Sequence, residues 1–511
     1  MLIFSVFLPV CGCTSLDNAQ FQQQQVINHG SSIEIFYSEF GALGDGVTDD
    51  FDAIIRAHEA ANASGAKVCA DPGAVYYIGR TIKTARIETD TDWTGAEFII
   101  DDTKVPRNGR AFEDSWLFEI ASAKKPVPVN SILSLKKNRT CLDLSFETDS
   151  LIIVTNDNVR RFIRRGQNQN SGIGQVEVFV IDKNGNIDPA NPLVWNYVTI
   201  TSMTAYPIDT SVLTINGGKF TTIASKGHAD LYYMTRGIHL TRSNTVIDGL
   251  THLITSEQEI QGASYHGFLY IENCANITVK NSTFTGHRAY VQSNGPTRGT
   301  YDFNVLRVAN LSVINCGQSN DITDSKYWGV FTSNFSKNFL LDGVKFSRVD
   351  AHNGLHNLTI LNSEFGHQGI QMIGGGLMRV ENTKITGAVY LNLRSDYGST
   401  WEGDVIIRNG TFVPTIFDNP AIIYSNNDGQ WNFGYTCYFP GTITIDGFTV
   451  DETSVPDEYS GVLLVRAVNN GKKERYPVVL PEMIKLFGFQ SSFPYRMPNE
   501  YLEKNIKVMT Q

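Results

Sequence analysis

A short phrase recurs along the second half of the chain: alternating apolar residues run into an Asn or Asp, often followed by a small residue. The residues that close the copies are Asp248, Asn281, Asn315, Asp342, Asn362, Asn382, Asn409 and Asp446. Successive copies lie 33, 34, 27, 20, 20, 27 and 37 positions apart. Repeats of this length indicate a solenoid, because such a unit buries its apolar face only by stacking on its neighbours.

Each copy is strand-like, since its apolar residues alternate with a period of two and are often β-branched. A repeat of about 20 residues suits a coil of short strands joined by turns. The predicted fold class is therefore all-β, a parallel β-helix solenoid. The recurring Asn and Asp are expected to form an internal ladder whose side chains bond the turn backbone of neighbouring coils, which makes them structural.

Length and charge limit the function classes. The 511 residues exceed one average domain, but a solenoid can lengthen without a second core. The formal net charge of −10 argues against nucleic acid as a partner.

The first residues form an apolar run, Met1–Cys13, that is too short to span a bilayer and is typical of an export signal. Val10-Cys11-Gly12-Cys13 resembles a bacterial lipobox, in which Cys13 would carry the lipid. Residues 1–32 are thus predicted to be a signal and tether. The alternative is a buried N-terminal strand. The protein is expected to be exported, as a lipoprotein of the outer membrane and cell surface or in the periplasm, touching membrane only through this anchor.

The repeat divides the rest of the chain. We predict an N-terminal cap with the first coils at 33–123, a β-rich insertion at 124–225, the main coils with the site at 226–470, and a C-terminal cap at 471–511.

A family resemblance rests on Phe40–Asp50, on the helical pattern that follows it, and on Gly65–Cys69 and Pro72–Tyr76. These segments resemble the opening of the pectate-lyase-like superfamily, which includes rhamnogalacturonase-type and glycoside hydrolase family 28-related proteins and phage tailspikes. The resemblance implies a right-handed parallel β-helix with an N-terminal capping helix, for which Thr48 or Asp49 is the expected cap. Members include lyases, hydrolases, epimerases and non-catalytic receptor binders, so the activity must be argued from the site.

Family 28 hydrolases carry Asn-Thr-Asp, Asp-Asp, Gly-His-Gly and Arg-Ile-Lys motifs in successive coils. In this chain Gly366-His367-Gln368-Gly369 is a loose echo of one of them, and the other three have no match. Standard polygalacturonase chemistry is therefore not expected.

The candidate catalytic residues fall in the main coils, where His, Arg, Tyr and carboxylate side chains are dense. They are Asp350, His352, His367, Arg394 and Tyr397. Such groups are rarely buried without partners, so this region is not expected to form part of the hydrophobic core.

Two reactions would use this set differently. In a polysaccharide lyase, Arg394 would neutralise a uronate carboxylate, His352 or His367 would be the base, and Tyr397 the base or the acid. Asn353 and Gln368 would orient the substrate. A glycosidase instead needs two carboxylic acids about 5–9 Å apart. Candidates for that pair are Asp350, Asp396, Glu402 and Asp404.

Further residues are assigned to substrate binding or to metal. Arg160 and Arg164, from four arginines within six residues, are expected to bind acidic groups, the alternative being a solvated turn. Sugar-stacking aromatic candidates are Tyr327, Trp328, Tyr397, Trp401 and Trp431. Asp302, Asp321 and Asp324 offer oxygen ligands for Ca²⁺, the single cofactor that the sequence suggests.

We favour a lyase acting on an acidic polysaccharide or oligosaccharide. Asp396, Trp401, Glu402, Tyr327 and Trp328 are then predicted to contact the substrate. A glycoside hydrolase and a non-catalytic glycan-binding or tailspike-like module remain the alternatives.

Overall fold

The computed structural model describes residues 33–80, 82–105, 116–161, 163, 172–224, 236–257, 267–289, 299–427, 433, 435–468, 478–497, 503–504 and 506–510. Cys13, Arg164 and Trp431 lie outside these residues, as does the whole predicted signal. No helix within the described ranges is long and apolar enough to cross a membrane.

The N-terminal region contains the α-helix and the first strands. The strands are β1 (Glu34–Phe36), β2 (Asp45–Asp49), β3 (Lys67–Cys69), β4 (Val75–Ile78), β5 (Ala85–Ile87), β6 (Thr91–Asp101) and β7 (Phe118–Ile120). The helices are α1 (Phe51–Ser64) and two 3-10 turns, Tyr37–Phe40 and Asp102–Lys104. These strands pair in parallel, as the predicted cap and first coils require.

Helix α1 packs its apolar face on the first coils. Phe51 is fully buried and meets Phe118 edge-on at 5.6 Å between ring centroids. The N-cap position is Asp50, whose carboxylate instead accepts the amides of Leu43 and Gly44 in the preceding loop. The predicted N-cap, Thr48 or Asp49, is therefore wrong, although Asp49 Oδ1 accepts the Phe51 amide at 3.2 Å. Asp50 therefore anchors the loop that precedes the helix.

The insertion forms a separate antiparallel sheet with its own apolar core. Its strands, β8 (Val127–Pro128), β9 (Ser150–Arg161), β10 (Ile173–Ile181) and β11 (Ser202–Pro207), pair in the order β10-β9-β11-β8. The predicted end of the insertion at 225 is too late. Strand β12 (Leu213–Ile223) already pairs in parallel with β6 of the first coils.

The coils continue from β12 through strands in regular succession. They are β13 (Ile238–Leu240), β14 (Thr245–Asp248), β15 (Thr251–Thr255), β16 (Leu269–Glu272), β17 (Ala275–Lys280), β18 (Thr283–Phe284), β19 (Phe303–Leu306), β20 (Ala309–Ile314), β21 (Gly317–Gln318), β22 (Phe331–Asp342), β23 (Lys345–Leu361), β24 (Glu364–Met372) and β25 (Gly374–Glu381).

The last coils follow the same plan. Their strands are β26 (Lys384–Gly387), β27 (Val389–Leu393), β28 (Trp401–Arg408), β29 (Thr411–Pro414), β30 (Ala421–Asn427), β31 (Cys437–Tyr438), β32 (Thr442–Asp446), β33 (Thr449–Val450), β34 (Leu463–Val468), β35 (Val478–Val479), β36 (Met483–Phe487) and β37 (Lys507–Thr510). A 3-10 turn, Ser395–Tyr397, follows β27.

Three parallel stacks of strands run through these coils, which confirms the predicted parallel β-helix. One register line follows apolar residues from coil to coil: Val279, Val313, Leu341, Ile360, Val380, Ile407, Ile445 and Leu486. Each of these is at most 3% exposed. The solenoid core is this repeated burial of one strand face.

The predicted Asn ladder exists, but it is external. Asn409, Asn382 and Asn362 each donate Nδ2–H to the Oδ1 of the residue one coil earlier, at 3.1, 3.0 and 2.9 Å. The side chains thus bond each other rather than the turn backbone, and they are exposed. All three residues have φ of 48–50°. Asn is suited to this left-handed turn, because its short polar side chain tolerates the conformation.

The predicted C-terminal cap continues the repeat. Strand β36 pairs in parallel with β32, and β37 pairs with β36. The expectation that residues 471–511 lack the repeat is therefore wrong for these two strands.

Candidate functional site

The site is centred on Asp350, which lies in β23 between Val349 and Ala351 of the core. Because side chains alternate along a strand, Asp350 points to the outer face of its stack. Its register neighbours on that face are Thr332 and Gln371. The side chain is nevertheless fully buried, since side chains from other coils cover it.

Four side chains converge on the Asp350 carboxylate. Arg394 Nη1 lies 2.7 Å from both of its oxygens. Arg348 Nη2 also donates to it. Tyr301 donates its hydroxyl at 2.5 Å, and His352 Nε2 lies 3.0 Å from Oδ2. Burial raises the pKa of Asp350, but the charges of Arg348 and Arg394 outweigh it and hold the pKa well below its usual value. The direction of this pKa shift favours the ionised form of Asp350, which is not the form that a general acid requires.

His352 is the exposed member of this cluster. Its side chain is 27% exposed. The pairing of β23 with β22 jumps from Ala351 opposite Ser333 to Asn353 opposite Asn334, so His352 is the extra residue of a β-bulge. Bulges re-aim side chains and are common beside active sites.

The protonation state of His352 suits a base. Burial lowers its pKa, Asp350 raises it, and Arg394 lowers it again, with a net lowering. The bond to the Asp350 carboxylate places the proton of the neutral ring on Nε2, which leaves the lone pair on Nδ1. No side chain or backbone group of the described residues bonds to Nδ1. The arrangement is a His–carboxylate dyad with an available base nitrogen.

Arg394 does not fit the role that the sequence suggested. Besides Asp350, it holds Asp396 through Nε and Nη2, at 3.1 and 2.8 Å. Its side chain is 8% exposed. Because two protein carboxylates already occupy the guanidinium, we assign Arg394 to holding Asp350 in place rather than to neutralising a substrate carboxylate.

Other predicted residues surround the dyad at different distances. The Tyr397 ring lies 6.3 Å from the His352 ring and 5.3 Å from the Arg394 guanidinium. Gln368 accepts from Gln371, which follows Asp350 in register. His367 is directed elsewhere, with Nδ1 3.3 Å from the Ile322 carbonyl oxygen.

The aromatic candidates divide between core and surface. Trp401 is fully buried and donates its indole N–H to the Gly376 carbonyl at 3.0 Å, so it cannot stack on a sugar. Trp328 stacks on the Arg348 guanidinium at 4.5 Å, and Arg348 in turn bonds Asp350 of the dyad. Tyr327 is half-buried in the loop before it.

The three calcium candidates are not brought together. Asp302 is fully buried, whereas Asp321 is exposed and bonds Thr323, and Asp324 pairs with Lys326. Within the described ranges, no group of three His, Cys, Asp or Glu side chains could hold a metal ion.

Asp302 instead joins two histidines in the solenoid interior. His252 Nδ1 lies 2.8 Å from both of its oxygens, and His287 Nε2 lies 3.0 Å from Oδ1. His287 Nδ1 lies 3.3 Å from Glu257. Burial lowers the pKa of His287, but the bonds to Asp302 and Glu257 outweigh it and raise the pKa to about 10. His287 is thus a buried cation held by two carboxylates.

This buried histidine predicts a pH-dependent stability. Its pKa rises from 6.5 to about 10 on folding, so its contribution is complete below pH 6.5 and is lost as the pH rises through the folded value. Across this window the free energy of unfolding should fall by on the order of 1.4 kcal/mol per pH unit. Urea denaturation at several pH values within and below the window measures the slope. A His287→Gln variant with the same slope would contradict the assignment.

A cavity of about 520 Å³ lies between the insertion and the coils, and we call it the insertion pocket. Its insertion wall includes Lys137, Arg161, Glu177 and Trp195, and its coil wall includes Lys337, Asn353, His356, Gly374, Glu402 and Tyr435. Asn353 and Glu402 were predicted to contact substrate. Arg161 and His356 were not among the predicted site residues, although Arg161 belongs to the arginine cluster that the sequence singles out.

The prediction that Arg160 and Arg164 bind acidic groups did not include Arg161, the arginine of this cluster that lines the pocket. Arg160 is exposed and does not line the pocket, whereas its neighbour Arg161 does. Successive residues of a strand point to opposite faces, which separates the two. The alternation of β9 alone would have selected Arg160, because buried residues occupy every second position up to Asn156. The register of β9 with β10 shifts between Asn156 and Arg160, so the alternation does not continue to the arginines.

Comparisons with known proteins give weak structural likenesses. No family model and no curated protein matches the chain. Among solved structures, the Streptococcus pneumoniae surface protein and adhesin PfbA matches with 10% identity over 94% of this chain and 100% of that one, at a TM-score of 0.44. A tailspike of an Acinetobacter baumannii bacteriophage, solved with a capsular saccharide, matches with 11% identity over 91% of this chain and 73% of that one, at a TM-score of 0.43. A Yersinia enterocolitica family 28 exopolygalacturonase matches with 13% identity over 94% of this chain and 78% of that one, at a TM-score of 0.40. At these TM-scores the likenesses carry no argument about the chemistry of this chain.

Proposed function

We propose that this protein cleaves an acidic polysaccharide by β-elimination, with His352 as the base. The observation that carries the proposal is the dyad, in which a buried, ionised Asp350 holds Nε2 of a partly exposed, neutral His352. General bases work best when they are neutral near the working pH and are oriented by a second group.

The reaction has one bond formed and one broken at the sugar. His352 Nδ1 takes the proton from C5 of a uronate, the electron pair forms the C4–C5 double bond, and the bond from C4 to the glycosidic oxygen breaks. The leaving oxygen takes a proton, and we assign this role to Tyr397, whose ring lies 6.3 Å from that of His352. The products are a new non-reducing end with a double bond and a saturated chain with a free hydroxyl.

The predicted hydrolase alternative has less support at this site. A glycosidase needs a carboxylic acid with a raised pKa that touches the substrate. Asp350 is fully buried and its pKa is lowered. Asp396 pairs with Arg394, and Glu402 pairs with Lys137 at 3.2 Å. The dyad is better suited to removing a carbon-bound proton than to protonating a glycosidic oxygen.

The test is incubation of purified protein with pectin, alginate, chondroitin sulfate and hyaluronan, with and without EDTA. Ultraviolet absorbance reports the conjugated double bond that β-elimination creates, and a separate assay counts reducing ends. Rising absorbance on a uronate polymer is expected. New reducing ends without absorbance would identify a hydrolase, and binding without either signal would identify a glycan-binding module. Either result would overturn the proposal.

A further inference from the structure

The insertion pocket holds one cation more than its carboxylates can pair. Its lining includes Lys137, Arg161 and Lys337 as cations, with Glu177 and Glu402 as the acids. Glu177 pairs with Lys337 at 2.5 Å, and Glu402 pairs with Lys137 at 3.2 Å. Arg161 is left without a carboxylate partner among the described residues.

Among the described residues, Arg161 makes its direct side-chain contacts with neutral groups. Its Nε and Nη2 both donate to Gln175 Oε1, at 3.0 and 2.8 Å, and its guanidinium lies 4.9 Å above the Trp195 ring. The residue is half-buried. A partly desolvated guanidinium whose Nη1 has no partner among the described residues is well suited to binding a carboxylate, since charged hydrogen bonds are strongest away from water.

Neutral polar groups accompany this cation. His356 lines the same pocket, and burial together with the nearby lysines lowers its pKa to about 3, so the ring stays neutral. It makes no hydrogen bond with the described residues. Asn353 Oδ1 is buried without a partner. A neutral imidazole and an amide oxygen can serve the hydroxyl groups of a sugar.

The pocket is connected to the dyad through neighbouring residues, although neither Asp350 nor His352 lines it. Asn353 directly follows His352 in β23, and Tyr435 donates its hydroxyl to the carbonyl of Tyr397, whose ring stacks beside His352. The cavity volume of about 520 Å³ falls within the roughly 300–1,000 Å³ of small-ligand sites.

We propose that the insertion pocket binds a carboxylate-bearing sugar residue of the substrate, with Arg161 as the partner of the carboxylate. The inference takes its substrate class from the proposed function. It assigns a substrate-binding cation to the insertion, whereas Arg394 in the coils is already held by two protein carboxylates. The insertion is then one wall of the binding site.

The test is calorimetric titration with short oligosaccharides of pectin, alginate and hyaluronan, each beside its carboxyl-reduced form. Titrations use the full chain carrying His352→Ala, so that no ligand is cleaved. Adding Arg161→Met should weaken binding of the carboxylated ligand about 10- to 100-fold, the value of a hydrogen bond to a charged group. The carboxyl-reduced ligand should bind weakly and equally to both proteins.

Arg160→Met is the matched control, because Arg160 is the adjacent, exposed arginine of the same strand. It should leave affinity unchanged, and Arg161→Lys should retain part of it. Thermal unfolding checks that each variant is folded. Equal affinity in the Arg161→Met protein, equal loss in the Arg160→Met protein, or no binding of any uronate ligand would each overturn the proposal. Arg161-dependent binding without β-elimination would retain the pocket and reject the proposed reaction.

Discussion

Replacing His352 by Ala is expected to lower the β-elimination rate by about 10²- to 10⁴-fold, the usual contribution of a positioned general base. The side chain is 27% exposed and sits on a bulge of β23, so its removal leaves no large cavity in the core. The fold should therefore survive, and the loss should appear in kcat. Initial rates on the polymer that responds in the substrate panel measure it.

The matched control is His239→Ala. His239 lies in the same outward register row as Asp350, several coils earlier. Its Nε2 also contacts a carboxylate, Glu272, at 3.0 Å, and the side chain is 14% exposed. It lacks the two arginines and the bulge, so its loss should leave the rate unchanged. A His352→Ala protein within a few-fold of the parent would exclude His352 as the base.

The pH profile gives a second readout of the same prediction. The pKa of His352 lies below its ordinary value of 6.5, so the neutral, active base persists as the pH falls to 6.5 and is lost below it. The acidic limb of kcat/KM should therefore lie below pH 6.5 and should vanish in the variant. A limb at higher pH would assign the base to another group.

Replacing Lys337 by Met is expected to lower the free energy of unfolding by about 3–5 kcal/mol, because it leaves Glu177 charged and buried without its partner. The pair joins β22 of the coils to β10 of the insertion at 2.5 Å, and the side chains are 3% and 2% exposed. Glu177 also accepts the amides of Val194 and Trp195, at 2.6 and 3.3 Å. Urea denaturation, followed by fluorescence, measures the change.

Two further variants separate charge from packing. In Lys337→Met with Glu177→Gln, the amide oxygen can still accept from Val194 while the buried charge is gone, so part of the loss should be recovered. Lys219→Met removes an exposed Lys–Glu pair, in which Lys219 lies 3.0 Å from Glu97 and both side chains are about half exposed. It should cost less than about 1 kcal/mol. Equal losses from Lys219→Met and Lys337→Met would show that burial of the pair is unimportant.

The position of the pair has a consequence for the pocket. Lys337 and Glu177 both line it, on opposite walls. Small residues of the coils, Ala275 and Ala309, pack against Leu151 and Val178 of the insertion nearby. The contact between insertion and coils thus combines apolar packing with the buried Lys337–Glu177 pair and the more exposed Lys137–Glu402 pair, and it leaves Arg161 as the surplus cation.

Local pattern was sufficient to predict the architecture. Period-two alternation ending in Asn or Asp requires each unit to stack on the next, and the structure has the corresponding register lines and ladder. The boundaries were less predictable. Strand β12 and the late strands β36 and β37 belong to the coils. Their repeat was not recognised in the sequence, because a coil tolerates loops and substitutions that obscure the repeat while parallel pairing continues.

Site residues were predicted by type and not by role. The sequence picked out Asp350, His352, Arg394 and Tyr397 as chemically dense, and the structure brings them together. The sequence could not show that Arg394 bonds two protein carboxylates, or that Trp401 is fully buried. A residue's partners in other coils depend on the register of the strands and on which loops cover them. Spacing along the sequence does not determine either.

By itself, then, the sequence determined the all-β solenoid and the coils in which reactive groups gather, because periodic burial of short strands is a local property. The capping helix was implied by the family resemblance. Only the tertiary structure decided which of those groups is an available base, which pocket cation has no carboxylate partner among the described residues, and where the insertion closes a pocket. Those properties depend on contacts between residues far apart in the chain, such as Lys337 with Glu177, and on the burial that sets their pKa values.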